Sequence, residues 1–158
     1  MAVGTWKTFN DTRLWMADAT NLSDPANSFY LALMTSAWTP NAATQSLWAD
    51  VSGNEIAAGN GYTAGGVALT GVTVTKSTST VTFSYTGPTP KWTASGGSIP
   101  VWRYGLIYVN ATINGHIKPL AFYFLGDDTP ADVPATSAGV SLDIPANASG
   151  VFDLTGMA

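Results

Sequence analysis

The sequence predicts an all-β, mainly antiparallel fold: a single β-sandwich or barrel-like domain of about seven or more short strands, with one short N-terminal helix. Two observations carry that expectation. Segments rich in β-branched and aromatic residues recur along the 158-residue chain, separated by clusters of Gly, Pro, Asn, Asp and Ser at roughly 8 to 12 residue spacing. The glycine-rich run at 59–66 feeds an alternating Val/Thr stretch at 67–75, with no helix behind it.

Taken in order, residues 6–19 are the one helical stretch expected. Thr5 stands where a cap belongs, and Trp6, Phe9, Arg13 and Met16 fall near one face. Thr8, Asn10, Asp11 and Thr12 are mediocre helix formers, and the turn residues at 21–25 end the segment. Residues 1–26 therefore read as a helical arm and 27–158 as the β domain. Residues 27–36 read as a strand with Phe29, Leu31 and Leu33 on one side and Tyr30, Ala32 and Met34 on the other. Both sides are apolar, as in a central strand covered on both faces.

Residues 37–66 read as loop, with room for a helical turn near 45–50. In the next strand, 67–75, Val67 and Leu69 share one parity and Val72 and Val74 the other. A β-bulge at Gly71 would bring all four to the same face. A partner strand follows at 81–85, then a short edge segment around Trp92. Two strong strands at 101–109 and 117–125 come next, joined through the hairpin dipeptide Asn114-Gly115. Strands at 140–144 and 151–154 complete the set.

Composition narrows the function. Charged residues are 10% of the chain, against about 25% in an ordinary soluble domain. The surface must then be made of Thr, Ser, Asn, Gly and backbone, which suits contact with other protein and favours assembly. Net charge is −4, and the six basic residues are scattered, so no cluster stands ready to neutralise phosphates. Nucleic acid is not an expected partner. The longest apolar run, near residues 29–34, is far short of the ~20 residues a membrane span needs. Cysteine is absent, which removes disulfides and thiolate chemistry and fits a reducing cytoplasm. The N-terminus shows no charged and apolar leader pattern, so no secretory signal is expected.

No catalytic set is expected. His116, the sole histidine, falls at a hairpin tip with no nucleophile and carboxylate beside it. Asp127, Asp128 and Asp132 share one loop, but their spacing fits no calcium loop, and a solvated loop is expected. Glu55, the sole glutamate, reads as a loop residue. The glycines at 59–66 lack the helix and lysine of a phosphate cradle and read as turn residues needing positive φ. No metal or cofactor is expected. The interaction candidates are four tryptophans, Trp6 and Trp15 on the expected helix and Trp38 and Trp48 in polar loops. Exposed, they would suit a protein interface or stack on sugars; buried, they would cover the ends of the barrel. Trp92 and Trp102 read as core or sheet-face residues.

Five segments together resemble one family of small structural proteins of tailed-bacteriophage virions. They are Ser28-Phe29-Tyr30-Leu31-Ala32-Leu33-Met34-Thr35-Ser36-Ala37-Trp38-Thr39-Pro40, the glycine-rich 59–72 run, Trp92-Thr93-Ala94-Ser95-Gly96-Gly97-Ser98-Ile99, Arg103-Tyr104-Gly105-Leu106-Ile107-Tyr108, and Gly150-Val151-Phe152-Asp153-Leu154-Thr155. Their order and spacing carry the resemblance, which spans about residues 27 to 155. Residues 110–119 depart from the acidic turn expected in such proteins. The resemblance implies a virion component, first a capsid decoration or cement protein and alternatively a tail, neck or fibre component, one form of which is a receptor- or glycan-binding module. It implies the major capsid protein or other virion proteins as partners, a homo-oligomer with a trimer favoured, and assembly in the host cytoplasm. No catalytic residues come with it.

Overall fold

The computed structural model describes residues 7–12, 28–77, 80–85, 90–113, 115–127, 131–139, 141–143 and 152–155. The fold is all-β, and every strand pairing among the described residues is antiparallel. The strands are β1 (Lys7–Thr8), β2 (Phe29–Met34), β3 (Val67–Leu69), β4 (Val72–Ser77), β5 (Thr80–Tyr85), β6 (Lys91–Thr93), β7 (Tyr104–Val109), β8 (Thr112–Ile113), β9 (His116–Ile117), β10 (Leu120–Leu125), β11 (Ser141–Asp143) and β12 (Phe152–Thr155). A five-stranded sheet runs β1-β10-β7-β2-β3, and three smaller sheets pair β11 with β6, β12-β5-β4, and β8 with β9.

The five-stranded sheet organises the molecule because its central strands are apolar on both sides. Along β2, Phe29, Leu31 and Leu33 enter one core, while Ala32 and Met34 enter another with Tyr30 at its margin. Strand β7 divides the same way, Ile107 and Val109 against Leu106 and Tyr108. The first core is closed by Tyr62, Trp92, Ile99, Trp102, Ile113 and Val133. The second is closed by Phe9, Trp38 and Val51. The two-sided coverage expected for residues 27–36 is thus observed. At Gly105 a side chain would collide with the ring of Phe124, its cross-strand partner, so the missing Cβ leaves room for that ring on the sheet.

Several elements differ from expectation. The helix expected over residues 6–19 starts late. Lys7 and Thr8 pair with Tyr123 and Phe122 at the edge of β10, and helical backbone begins at Asn10. Weak local helix propensity gives way to a backbone ladder and the burial of Phe9. Residues 7–12 are therefore part of the sheet domain and not an appended arm; residues 13–19, Trp6 and Trp15 lie outside the described residues. At Gly71 the chain does more than bulge. Residues 67–69 pair with β2, whereas 72–77 pair with β5 in a different sheet, and Gly71 (φ +65°) stands at the corner. A true bulge lies in β10, where the register slips between Leu120 and Phe122 and leaves Ala121 as the extra residue.

The other readings hold closely. A helical turn forms at Trp48–Val51, followed by a 3-10 turn at Ser52–Asn54. Gly115, at φ +81°, precedes β9, which pairs with β8 as a hairpin, while Asn114 lies outside the described residues. Trp92 sits in the middle of β6.

Candidate functional site

Two constructions stand out, a locked glycine loop and an aromatic face. The loop begins with a reciprocal turn in which Gly59 and Tyr62 exchange both backbone hydrogen bonds at 2.9 Å. Between them Asn60 (φ +52°) and Gly61 (φ +95°) take the mirror-image conformation that favours an Asn-Gly pair. Gly66, at φ +78°, lies so close to the Leu31 carbonyl that any side chain there would collide with backbone. The glycines serve as turn residues and allow close approach, as their composition suggested.

Glu55 holds this loop in place, and sequence reasoning missed it. Its Oε1 accepts from the Tyr62 hydroxyl at 2.7 Å and from the Gly65 N–H at 2.6 Å. The Tyr62 hydroxyl in turn accepts from the Leu33 N–H of β2 at 3.0 Å, and the Tyr108 hydroxyl donates to the Gly65 carbonyl at 2.8 Å. One half-buried carboxylate thus ties the loop to β2 and, through Gly65, to β7. Burial holds both phenols above the ordinary tyrosine value. The Tyr62 phenol is also raised by its bond to Glu55, and the charge of Glu55 helps lift the Tyr108 phenol to about 12. Asn60 then joins the loop to its neighbour at 94–98, donating to the Ser98 carbonyl and accepting from the Ser95 N–H. The available signal in the sequence was a lone glutamate beside a glycine run in a chain with few charges.

The aromatic face lies on the other side of the sheet. Trp38 was a candidate for an exposed contact, and that expectation is corrected: it is 1% exposed, packed edge-on against Tyr104 and Tyr123 and stacked with Phe9. Its Nε1–H donates to Gln45 Oε1 at 3.1 Å, so the polar end of the indole is satisfied inside. Trp48 is half-buried and stacks on Tyr108 with ring centroids 4.4 Å apart. Asp50 fixes the start of its helical turn by accepting from the Ser46 and Leu47 N–H groups. Half-buried Tyr30 also packs against Tyr108, and half-buried Tyr104 and Tyr123 continue the face.

The remaining candidates are dispersed. Asp132 pairs with Arg103 at 2.7 Å, Asp127 lies two residues beyond β10, and Asp128 lies outside the described residues. His116 and Ile117 are exposed on the β8–β9 hairpin. Among the described residues no three His, Asp or Glu side chains gather as a metal site, and no helix is long and apolar enough to cross a membrane.

No known protein family, curated protein or solved structure matches the chain.

Proposed function

We propose that this protein is a structural component of a tailed-phage virion, acting as a decoration or cement protein on the outer head lattice. The observation that carries the reading is the five-segment resemblance together with where four of those segments lie. Segments 28–40 and 103–108 supply the paired central strands β2 and β7. Segments 59–72 and 92–99 meet through Asn60 and pack against that framework. Sequence likeness gathered on one contiguous framework is what a shared architecture produces. The low charge and hydroxyl-rich composition support a surface that contacts protein.

In this reading the partners are the major capsid protein and further copies of the chain, a trimer favoured, within a virion assembled in the host cytoplasm. In this reading no residue has a catalytic role. Its action is linkage: a protein that binds the assembled shell and not its dissociated subunits stabilises the shell by mass action. Purified protein is expected to add back to heads lacking it and to raise their disruption temperature; heads that take up none would overturn the reading.

One observation favours a second reading, a tail or fibre module that recognises host glycans. Trp48 keeps part of its surface open while stacked on Tyr108, whereas buried Trp38 is unsuited to stacking on a sugar. Glycan-array binding that disappears in Trp48→Ala would select this reading over decoration.

A further inference from the structure

We propose that the outer edge of β10 is an exchangeable docking groove, which a second copy of this chain fills with its own residues 7–12. The groove exists because of the bulge at Ala121. Thr12 Oγ1 lies 2.8 Å from the Leu120 carbonyl and 3.0 Å from the Ala121 carbonyl, and the Phe9 N–H donates to the Ala121 carbonyl at 3.4 Å. Lys7 and Thr8 extend the ladder along β10. The Phe9 ring fills the space beside Trp38 and Tyr123, fully buried, and the Asn10 N–H donates to the Ala42 carbonyl. Six consecutive residues make all of these contacts. Lys7 and Thr8 supply an added strand, as when a sheet edge takes up a peptide, and the turn that follows adds Phe9 as an aromatic anchor and Thr12 as a hydroxyl donor.

The connection between this segment and the next described strand does not select one copy over another. Fifteen residues separate Thr12 from Ser28. Three strand spacings, about 15 Å, separate β1 from β2 across the sheet. Fifteen extended residues reach about 50 Å. The contacts are the same whichever copy supplies the segment, so local concentration decides. A connection of this length sets an effective concentration in the millimolar range, which separate copies match when they are mixed at comparable concentration. Exchange of an identical element is a low-cost route to association, and a net charge of only −4 does little to keep copies apart.

The cysteine-free chain makes the test direct. Lys7 and Tyr123 are Cα partners across β1 and β10. One copy carries Lys7→Cys; the other carries Tyr123→Cys, with or without Phe9→Ala to weaken its own segment. Mixed at high concentration and oxidised, they are expected to form a disulfide-linked heterodimer, with the yield rising about tenfold when Phe9→Ala frees the groove. The control replaces Lys7→Cys with Ile117→Cys on the exposed hairpin and sets the background. The proposal is overturned if Lys7→Cys/Tyr123→Cys in one chain closes internally while mixed copies give no heterodimer above background. It is equally overturned if that double variant never closes, because the pairing of residues 7–12 with β10 would then be absent. The measurement uses purified protein alone, so it stands whatever heads do.

Discussion

The two faces of the central sheet are made from alternating residues of the same three strands, yet they are finished in different ways. On one face Phe29, Leu31, Leu33, Ile107, Val109, Phe122 and Phe124 form an apolar layer sealed by chain segments from 56 to 133. On this face the Trp102 Nε1–H is buried without a hydrogen-bond partner among the described residues, a cost of about 1–3 kcal/mol. The other face is aromatic and polar-tipped. Trp38 and Tyr108 are buried with their donors bonded, and Tyr30, Trp48, Tyr104 and Tyr123 stay partly open. A sealed apolar face specifies the fold, whereas an amphipathic one can meet a partner without a bare apolar patch.

The largest expected effect tests the sealed face. Phe124→Ala removes a fully buried ring from the pair it forms with Gly105 and Trp102, and should cost about 3–5 kcal/mol in denaturant unfolding. A loss below about 1 kcal/mol would erase the distinction between the faces.

A middle-sized effect tests the tie between them. Glu55 bonds to Tyr62, a member of the sealed core, and to Gly65, whose carbonyl Tyr108 of the opposite face also holds. Glu55→Ala leaves the Tyr62 hydroxyl and the Gly65 N–H without their acceptor, an expected loss of about 1–3 kcal/mol. Glu55→Gln keeps an acceptor and should recover most of it. Equal losses in the two variants would mean that the carboxylate charge, and not its bonds, secures the loop.

The smallest effect is a pH dependence. The Tyr108 phenol sits at about 12 in the folded protein against an ordinary 10. Its contribution to stability is therefore complete below about pH 10 and is lost as the pH rises toward 12, because the unfolded chain releases its proton first. Tyr108→Phe should unfold with a shallower decline over that window in urea midpoints. An unchanged slope would assign the alkaline sensitivity to the other raised phenols, Tyr62 and Tyr123.

What could be read from the sequence follows the range of the forces involved. The alternation in β2, the Asn114-Gly115 hairpin and the central Trp92 of β6 depend on neighbours a few residues away, and each appears where expected. Strand β1 escaped notice because a two-residue strand has no periodicity, and its partners, Phe122 and Tyr123, lie at the far end of the chain. Trp38 looks exposed among polar neighbours; its burial comes from Phe9, Tyr104 and Tyr123, which only the folded sheet brings to it. Gly71 gave the correct parity change, but a parity change cannot tell a bulge from a corner between sheets.

The bulge at Ala121 also sets a timetable for biosynthesis. Thr12 leaves the ribosome 108 residues before Leu120, the nearer of its two acceptors. At roughly 5–20 residues per second the segment waits about 5–20 s for its site to be made. During that interval Phe9 has no place to bury, and a chain completed slightly earlier on the same messenger carries a finished β10. The moment of translation is thus when the choice between closing on itself and closing on a neighbour is most open.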